Sequence, residues 1–152
     1  NQYCFAPAIA PHLAAAAIGV QIDIAHLQQA SVSAQAYANW LVIEGAGGWF
    51  CPIDSQGATM QTLAQAYQAP VVLVVGLRLG CMNHALLSAQ AILQSGVPFV
   101  GWIANQIQNP AMPMQDAVLT SLSQLMPMPL LGRCAYQQPL VLNDVGIETF
   151  MS

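Results

Sequence analysis

Short runs in which every residue is apolar constrain the fold of this chain more than any other feature. The clearest run covers residues 71–75, five aliphatic residues bounded by Pro70 and Gly76. Strands that are buried on both faces require such runs, which are typical of parallel sheets covered by helices. Three further runs share this character, at residues 40–43, 98–104 and 129–132. We therefore predict four strands of a mainly parallel sheet.

Segments of helical length lie between these four runs. Residues 59–68, 83–95 and 115–125 carry apolar residues three and four positions apart, and Gly96 is suitably placed to end the second segment. The start of the chain, rich in Pro and Ala, is predicted to be loop-like, with residues 14–17 in a solvent-facing helix. The alternation of strands and helices predicts a doubly wound α/β sheet with three α/β/α layers, and one domain over residues 1–152.

Composition and charge exclude several classes of partner. The formal charge is −4 and the only cations are Arg78 and Arg133, whereas nucleic-acid binding requires clustered Lys and Arg. No apolar run approaches the roughly 20 residues of a membrane-spanning helix. The four cysteines form no C-x-x-C pair, which argues against a zinc site or a disulfide framework. We predict a cytoplasmic protein with neither nucleic acid nor membrane as a partner.

Glu44 directly follows the apolar run at residues 40–43 and precedes three small residues, namely Gly45, Ala46 and Gly47. A carboxylate at a strand end, beside backbone that a ligand can approach closely, suits a hydrated Mg²⁺ next to phosphate groups. A glycine-rich turn with a capping Glu is the alternative, and the spacing does not decide between the two.

Two further segments follow predicted strands. The first contains Gly80, Cys81, Met82 and Asn83, where a helix is predicted to start near Asn83. Free N–H groups at a helix start attract anions, although Asn83 as a simple N-cap is the alternative. The second contains Asn105 and Gln106, whose amides can hydrogen-bond the edge of a purine or hold a loop together.

Taken together, these segments resemble the dethiobiotin synthase family. The similar stretches are IEGAGGWFCP at residues 43–52, VVGLRLGCMNHALL at 74–87, GWIAN at 101–105 and PLLG at 129–132, with YCF and APH near the start. The resemblance extends from the first residues to about Tyr136.

The resemblance implies a P-loop-type α/β fold, a homodimer, and the conversion of 7,8-diaminononanoate, CO₂ and MgATP into dethiobiotin, ADP and phosphate. It implies that Glu44 is a magnesium ligand and that Gly45, Ala46 and Gly47 line the ATP phosphates. Gly80, Cys81, Met82 and Asn83 would hold the substrate carboxylate. Asn105 and Gln106 would bind adenine, and Ala135, Tyr136 and Gln137 would cover the base.

The stretches that resemble the family do not include its phosphate-binding loop. No G-x-x-x-x-G-K-[ST] segment occurs in the chain. The resemblance places that loop, the catalytic lysine and a magnesium-binding aspartate before Asn1. We therefore expect no catalytic residue in this chain, and no activity from it alone. The alternatives are a non-catalytic, regulatory relative of the synthase or a related P-loop ATPase or amidotransferase-like enzyme.

Overall fold

The computed structural model describes residues 1–151, without the side chain of Met151. The chain divides into two compact units, Asn1–Ala69 and Pro70–Ser152. The expectation of one domain over residues 1–152 stays a prediction.

The first unit is helical, with α1 (Pro11–Ala17), α2 (Ile24–Gln35) and α3 (Met60–Tyr67). Asp23 caps α2, because its carboxylate accepts from the N–H groups of Ala25 and His26 at 2.8 and 3.3 Å. The Gln28 amide donates to the Ala66 carbonyl at 2.7 Å and ties α2 to α3. The helix predicted over residues 59–68 is confirmed as α3.

The prediction of a loop-like start is confirmed for residues 1–10, which have no helix or strand, and is wrong beyond them. Pro11 occupies the first turn of α1, where its missing N–H costs nothing, and Asp23 starts α2. The helix at residues 14–17 is confirmed, but it is not simply solvent-facing, since Ala14 and Ala15 are buried. The many Ala and Gln residues of these helices mark no strong apolar face, so periodicity did not reveal α2.

The prediction of a strand at residues 40–43 is also wrong. These residues have no regular secondary structure. Trp40 and Val42 are 64 % and 89 % exposed. A strand is stable only when its backbone pairs with a neighbour, and no strand pairs with this segment within residues 1–151.

The second unit contains a four-stranded sheet in the order β1 (Val71–Leu77), β2 (Phe99–Gln106), β3 (Leu130–Cys134) and β4 (Leu140–Leu142). The first three strands are parallel, and β4 is antiparallel to β3. The connections run through α4 (Cys81–Gln94) and α5 (Gln115–Leu125), and α6 (Asp144–Met151) packs on β3. The predicted α/β class with a mainly parallel sheet is confirmed.

The core of the second unit lies where this sheet meets its helices. Trp102 on β2 is fully buried, as are Ala89 of α4, Leu122 of α5 and Leu131 of β3. Gly96, at φ +79°, lies just beyond the end of α4 and confirms the predicted stop. Among residues 1–151, no helix combines the length and the apolar character that crossing a membrane requires.

Gly146 gives the first testable prediction. A Cβ at this position would overlap the Leu131 carbonyl oxygen, which belongs to the backbone of β3 and cannot rotate away. We expect Gly146→Ala to push α6 off the sheet and to lower the free energy of unfolding by about 2 kcal/mol, the usual cost of overpacking. Urea denaturation measures this. Val145→Ala, at an exposed position of the same helix, is the control, with a change within about 0.5 kcal/mol. Equal stability of both variants would contradict the packing of α6 on β3.

Candidate active site at the sheet's carboxyl edge

The carboxyl ends of three parallel strands meet at one edge of the second unit. Within the sheet, Leu77 at the end of β1 pairs with Gln106 at the end of β2, and Asn105 pairs with Cys134 at the end of β3. The segments that follow these strands are therefore neighbours. In open α/β sheets ligands bind outside this edge. The register thus brings together the predicted residues of the 80–83 segment, of 105–106 and of 135–137.

The segment after β1 is a tight turn leading into α4. The N–H of Cys81 donates to the Arg78 carbonyl at 3.0 Å, and Gly80 precedes the helix at φ +89°. A Cβ on Gly80 would meet no atom within 4 Å, so glycine is required here by the backbone angle and not by lack of space. The first free donors of α4 are Met82 and Asn83, whose N–H groups have no acceptor within residues 1–151.

Two expectations for this segment change. The helix begins at Cys81 and not near Asn83, and Gly80 occupies the N-cap, so Asn83 is no cap. The Cys81 side chain is buried and its N–H is already bonded to Arg78. Any anion at this helix start would therefore be held by the N–H groups of Met82 and Asn83, with the helix dipole adding to the attraction.

The side-chain amides of Asn105 and Gln106, at the end of β2, differ in the hydrogen bonds that they make. The Gln106 side chain donates to the Gln108 carbonyl at 3.0 Å and accepts from the Gln115 amide at 3.3 Å. The Asn105 side chain is half-buried and makes no hydrogen bond within the described part of the chain. Asn105 thus keeps both its donor and its acceptor available to a ligand.

The predicted base-covering residues form the turn between β3 and β4. Gln138 N–H donates to the Ala135 carbonyl at 3.0 Å, and Gln137 adopts φ +54°. The Cys134 thiol donates to the Gln138 carbonyl at 3.2 Å and closes the same turn. Ala135, Tyr136 and Gln137 are exposed and follow the strand that pairs with Asn105. Their placement allows the turn to lie beside a base bound at Asn105.

The predicted phosphate and magnesium residues lie in the first unit. Glu44, Gly45, Ala46 and Gly47 are exposed and outside regular secondary structure. Gly47 has φ +79°, and a Cβ there would lie 2.7 Å from the Cys51 sulfur, so only glycine fits. The following segment is fixed to α3, since the Trp49 indole N–H donates to the Gln61 side chain at 2.9 Å.

The surroundings of Glu44 bear on its predicted role as a magnesium ligand. Its carboxylate is exposed, and no group of three or more His, Cys, Asp or Glu side chains that could hold a metal occurs within residues 1–151. Mg²⁺ at phosphoryl-transfer sites commonly takes one or two carboxylates and completes its shell with water and phosphate oxygens. Glu44 therefore fits one ligand of such an ion and does not by itself form a site.

Comparison with known proteins bears on the class of this chain. The profile of the family described as AAA domain matches residues 1–142. The ATP-dependent dethiobiotin synthetase BioD 1 of Salmonella typhi is 46 % identical over 132 residues, which are 87 % of this chain and 57 % of that protein. The corresponding synthetase of Pseudomonas aeruginosa strain LESB58 is 48 % identical over 134 residues, 88 % of this chain and 58 % of its own length. That of Pseudescherichia vulneris is 42 % identical over 147 residues, 96 % of this chain and 60 % of its own.

The mainly parallel sheet and the matching profile place the chain in the AAA-domain class of α/β proteins. Within this class, the chain belongs to the dethiobiotin synthetase family. It spans between 57 % and 60 % of the length of these relatives.

Proposed function

We propose that the complete protein containing this chain is an ATP-dependent dethiobiotin synthase. It would form the ureido ring of dethiobiotin from 7,8-diaminononanoate and CO₂, with hydrolysis of ATP to ADP and phosphate, as a cytoplasmic homodimer. The observation that carries the proposal is the meeting of three features at one sheet edge. They are the anion-attracting start of α4, the uncommitted amide of Asn105 and the exposed turn after β3.

The start of α4 suits the carboxylate of the substrate. Two adjacent N–H groups, on Met82 and Asn83, point out of the helix without acceptors in residues 1–151. They can donate charge-assisted hydrogen bonds, and these are stronger than bonds between neutral groups. This contact would hold the acid end of the diamine while its two amines remain free for reaction. No charged side chain is needed for that role.

The end of β2 and the turn after β3 suit the nucleotide base. Asn105 offers a donor and an acceptor side by side, which matches the paired N–H and ring nitrogen of adenine. Tyr136 can add an aromatic surface from the adjacent strand's turn. The base would thus be bound next to the carboxylate site, because Leu77 and Gln106 pair across β1 and β2.

The Glu44 segment suits the phosphates and Mg²⁺. When bound, this ion neutralises charge on the transferred phosphoryl group. The small residues Gly45, Ala46 and Gly47 leave room for phosphate oxygens to approach the backbone. Glu44 would hold the ion through one carboxylate oxygen or through its water shell.

A direct assay tests the proposed function. The complete protein, incubated with 7,8-diaminononanoate, bicarbonate, ATP and Mg²⁺, should yield dethiobiotin and ADP in equal amounts by mass spectrometry and coupled ADP detection. Omission of the diamine should abolish ADP release above background. ADP formation that is independent of the diamine, without dethiobiotin, would contradict the proposal and favour a different ATPase.

The carboxylate contact predicts a loss of affinity when the acid group is removed. We expect the decarboxylated diamine to bind the complete protein about 1.5–3 kcal/mol more weakly than the substrate, the range for hydrogen bonds to a charged group. Isothermal calorimetry measures both affinities, and ATP affinity serves as the internal control. Gly80→Ala should weaken substrate binding in the same direction, because φ +89° is unfavourable for any residue with a Cβ.

Asn83→Ala is the matched variant for this site. It keeps the backbone N–H, and the Asn83 side chain neither caps α4 nor is buried. We therefore expect it to bind the diamine nearly as tightly as the unmodified protein. Equal affinity of the protein for the diamine with and without its carboxylate would show that the acid group is bound elsewhere.

A further inference from the structure

Gly76, near the end of β1, leaves a space into which the Ile107 side chain packs. The three heavy atoms that a Cβ on Gly76 would approach most closely all belong to Ile107, at 3.4, 3.4 and 4.0 Å. Gly76 does not have a positive φ, so its backbone does not require glycine. A branched side chain at this position would therefore be accommodated only by displacing Ile107.

Ile107 lies on the same face of the sheet as the Asn105 side chain. Gly76 is the Cα partner of Asn105 across β1 and β2, and partners in adjacent strands point to the same face. Ile107 is two residues beyond Asn105, the spacing at which side chains of an extended chain return to one face. β2 ends at Gln106, but the contact with Gly76 keeps Ile107 on this face. Ile107 and Asn105 are therefore neighbours at the carboxyl edge.

This face of β1 is the more open of the two. Val75 and Leu77 are buried on one face, whereas Val74 on the other face is 57 % exposed. Gly76 shares the face of Val74, because side chains alternate along a strand. Ile107 remains 45 % exposed after its contact with Gly76. Its aliphatic side chain can therefore cover an apolar part of a ligand bound at this edge.

The opposite side of Asn105 is occupied by β3 and the turn after it. Cys134 is the Cα partner of Asn105 on β3, and Tyr136 follows two residues later. The Asn105 amide thus lies between an aliphatic side chain toward β1 and an aromatic residue in the turn after β3. A purine whose edge is hydrogen-bonded to an amide still has two apolar ring faces, and covering them with apolar side chains is favourable.

We infer that Ile107 binds the nucleotide by packing against one face of the adenine ring, and that Gly76 makes room for it there. The inference rests on the proposed function and adds a nucleotide-binding residue that supplies apolar contact, where Asn105 supplies hydrogen bonds. No motif in the sequence marks Ile107, which comes directly after the two amides.

Ile107→Ala in the complete protein tests the inference. The substitution removes three carbon atoms, and each fully buried one corresponds to a factor of about four in affinity. Because the base would cover only part of the side chain, we expect ATP to bind about tenfold more weakly by calorimetry. Inorganic tripolyphosphate has no base, so its affinity, measured by competition with ATP, should not change. Unchanged ATP affinity, or an equal loss for tripolyphosphate, would overturn the inference.

Two milder variants serve if Ile107→Ala does not fold. Ile107→Val removes only Cδ1 and should weaken ATP binding about two- to threefold. Gly76→Val should weaken ATP binding by displacing Ile107, and Val is favourable in a strand. Both should leave tripolyphosphate affinity unchanged, and full ATP affinity in both would overturn the inference. Ile147→Ala, at a position of α6 that is 49 % exposed, is the matched control and should bind ATP like the unmodified protein.

The same titrations distinguish a failure of the inference from a failure of the proposed function. If the unmodified protein bound no ATP, the proposed function would be overturned and the inference with it. If it bound ATP and formed dethiobiotin, and Ile107→Ala bound ATP equally well, the inference alone would be overturned. A lower unfolding midpoint of Ile107→Ala with unchanged ATP affinity would show that Ile107 only packs on β1, and would likewise overturn the inference alone.

Discussion

Glu44→Gln in the complete protein is expected to lower the rate of dethiobiotin formation by about two orders of magnitude or more at saturating ATP and diamine. A Mg²⁺ ion contributes several kcal/mol to phosphoryl transfer, and each 1.36 kcal/mol is a factor of ten in rate. Gln has nearly the same shape as Glu but no charge, so it would retain the ion poorly. Steady-state kinetics as a function of Mg²⁺ concentration measure the change.

Folding should not be affected by this substitution. Glu44 is exposed, and its carboxylate accepts no hydrogen bond within residues 1–151. Asp54→Asn is the matched control, because the Asp54 carboxylate accepts hydrogen bonds from the backbone N–H groups of Gln56 and Ala58, at 2.9 Å each. The control should lower stability slightly and leave the Mg²⁺ dependence unchanged. Near-normal turnover of Glu44→Gln at every Mg²⁺ concentration would remove the magnesium role of Glu44.

Trp102→Ala is expected to lower the free energy of unfolding by about 3–5 kcal/mol, the range for truncating a large buried aromatic residue. Trp102 is 0 % exposed on β2, in register between Leu73 of β1 and Leu130 of β3. Its removal would leave a cavity between the sheet and the helices, which a close-packed core cannot refill. A loss of this size is a large part of the stability of a domain, so partial unfolding at 37 °C is expected. Circular dichroism with urea titration measures it.

Trp102→Phe separates lost volume from lost polarity. The Trp102 indole N–H is buried and has no acceptor within residues 1–151. Replacement by Phe therefore removes an unsatisfied donor while keeping an aromatic ring, and the expected loss is less than half of that for Ala. A Phe variant as unstable as the Ala variant would show that the indole N–H makes a contact important for folding.

The sequence determined much of the secondary structure of the second unit, because two local patterns occur there: runs that are apolar throughout and helices with one apolar face. The runs at residues 71–75 and 98–104 are apolar throughout, and the helix predicted over 115–125 has the bounds of α5. Strands buried on both faces and helices with one apolar face leave these patterns whatever surrounds them. The same reasoning placed Gly80 to Asn83 and Asn105 at strand ends, and the parallel register makes the ends of β1 and β2 neighbours.

The sequence was less informative where an element depends on a partner distant in the chain. The run at residues 40–43 has the composition of a strand, but composition cannot supply the neighbouring backbone that a strand needs. The helix α2 was missed for a different reason, since an Ala- and Gln-rich helix has a weak apolar face. Antiparallel β4 and α6 follow a turn that no run or cap marked in advance.

Within the candidate site, the sequence indicates which residue types are present. Only the tertiary structure shows which of their hydrogen-bonding groups already have partners. Asn105 and Gln106 are adjacent amides, and nothing in their order says which one a ligand could use. In the structure, one N–H of the Gln106 amide and its oxygen are bonded to Gln108 and Gln115, whereas the Asn105 side chain makes no hydrogen bond within residues 1–151. The same holds for Cys81, whose N–H bonds back to Arg78 and so leaves the donor role to Met82 and Asn83. Hydrogen-bond satisfaction depends on which groups meet in space, and only the folded chain brings those groups together.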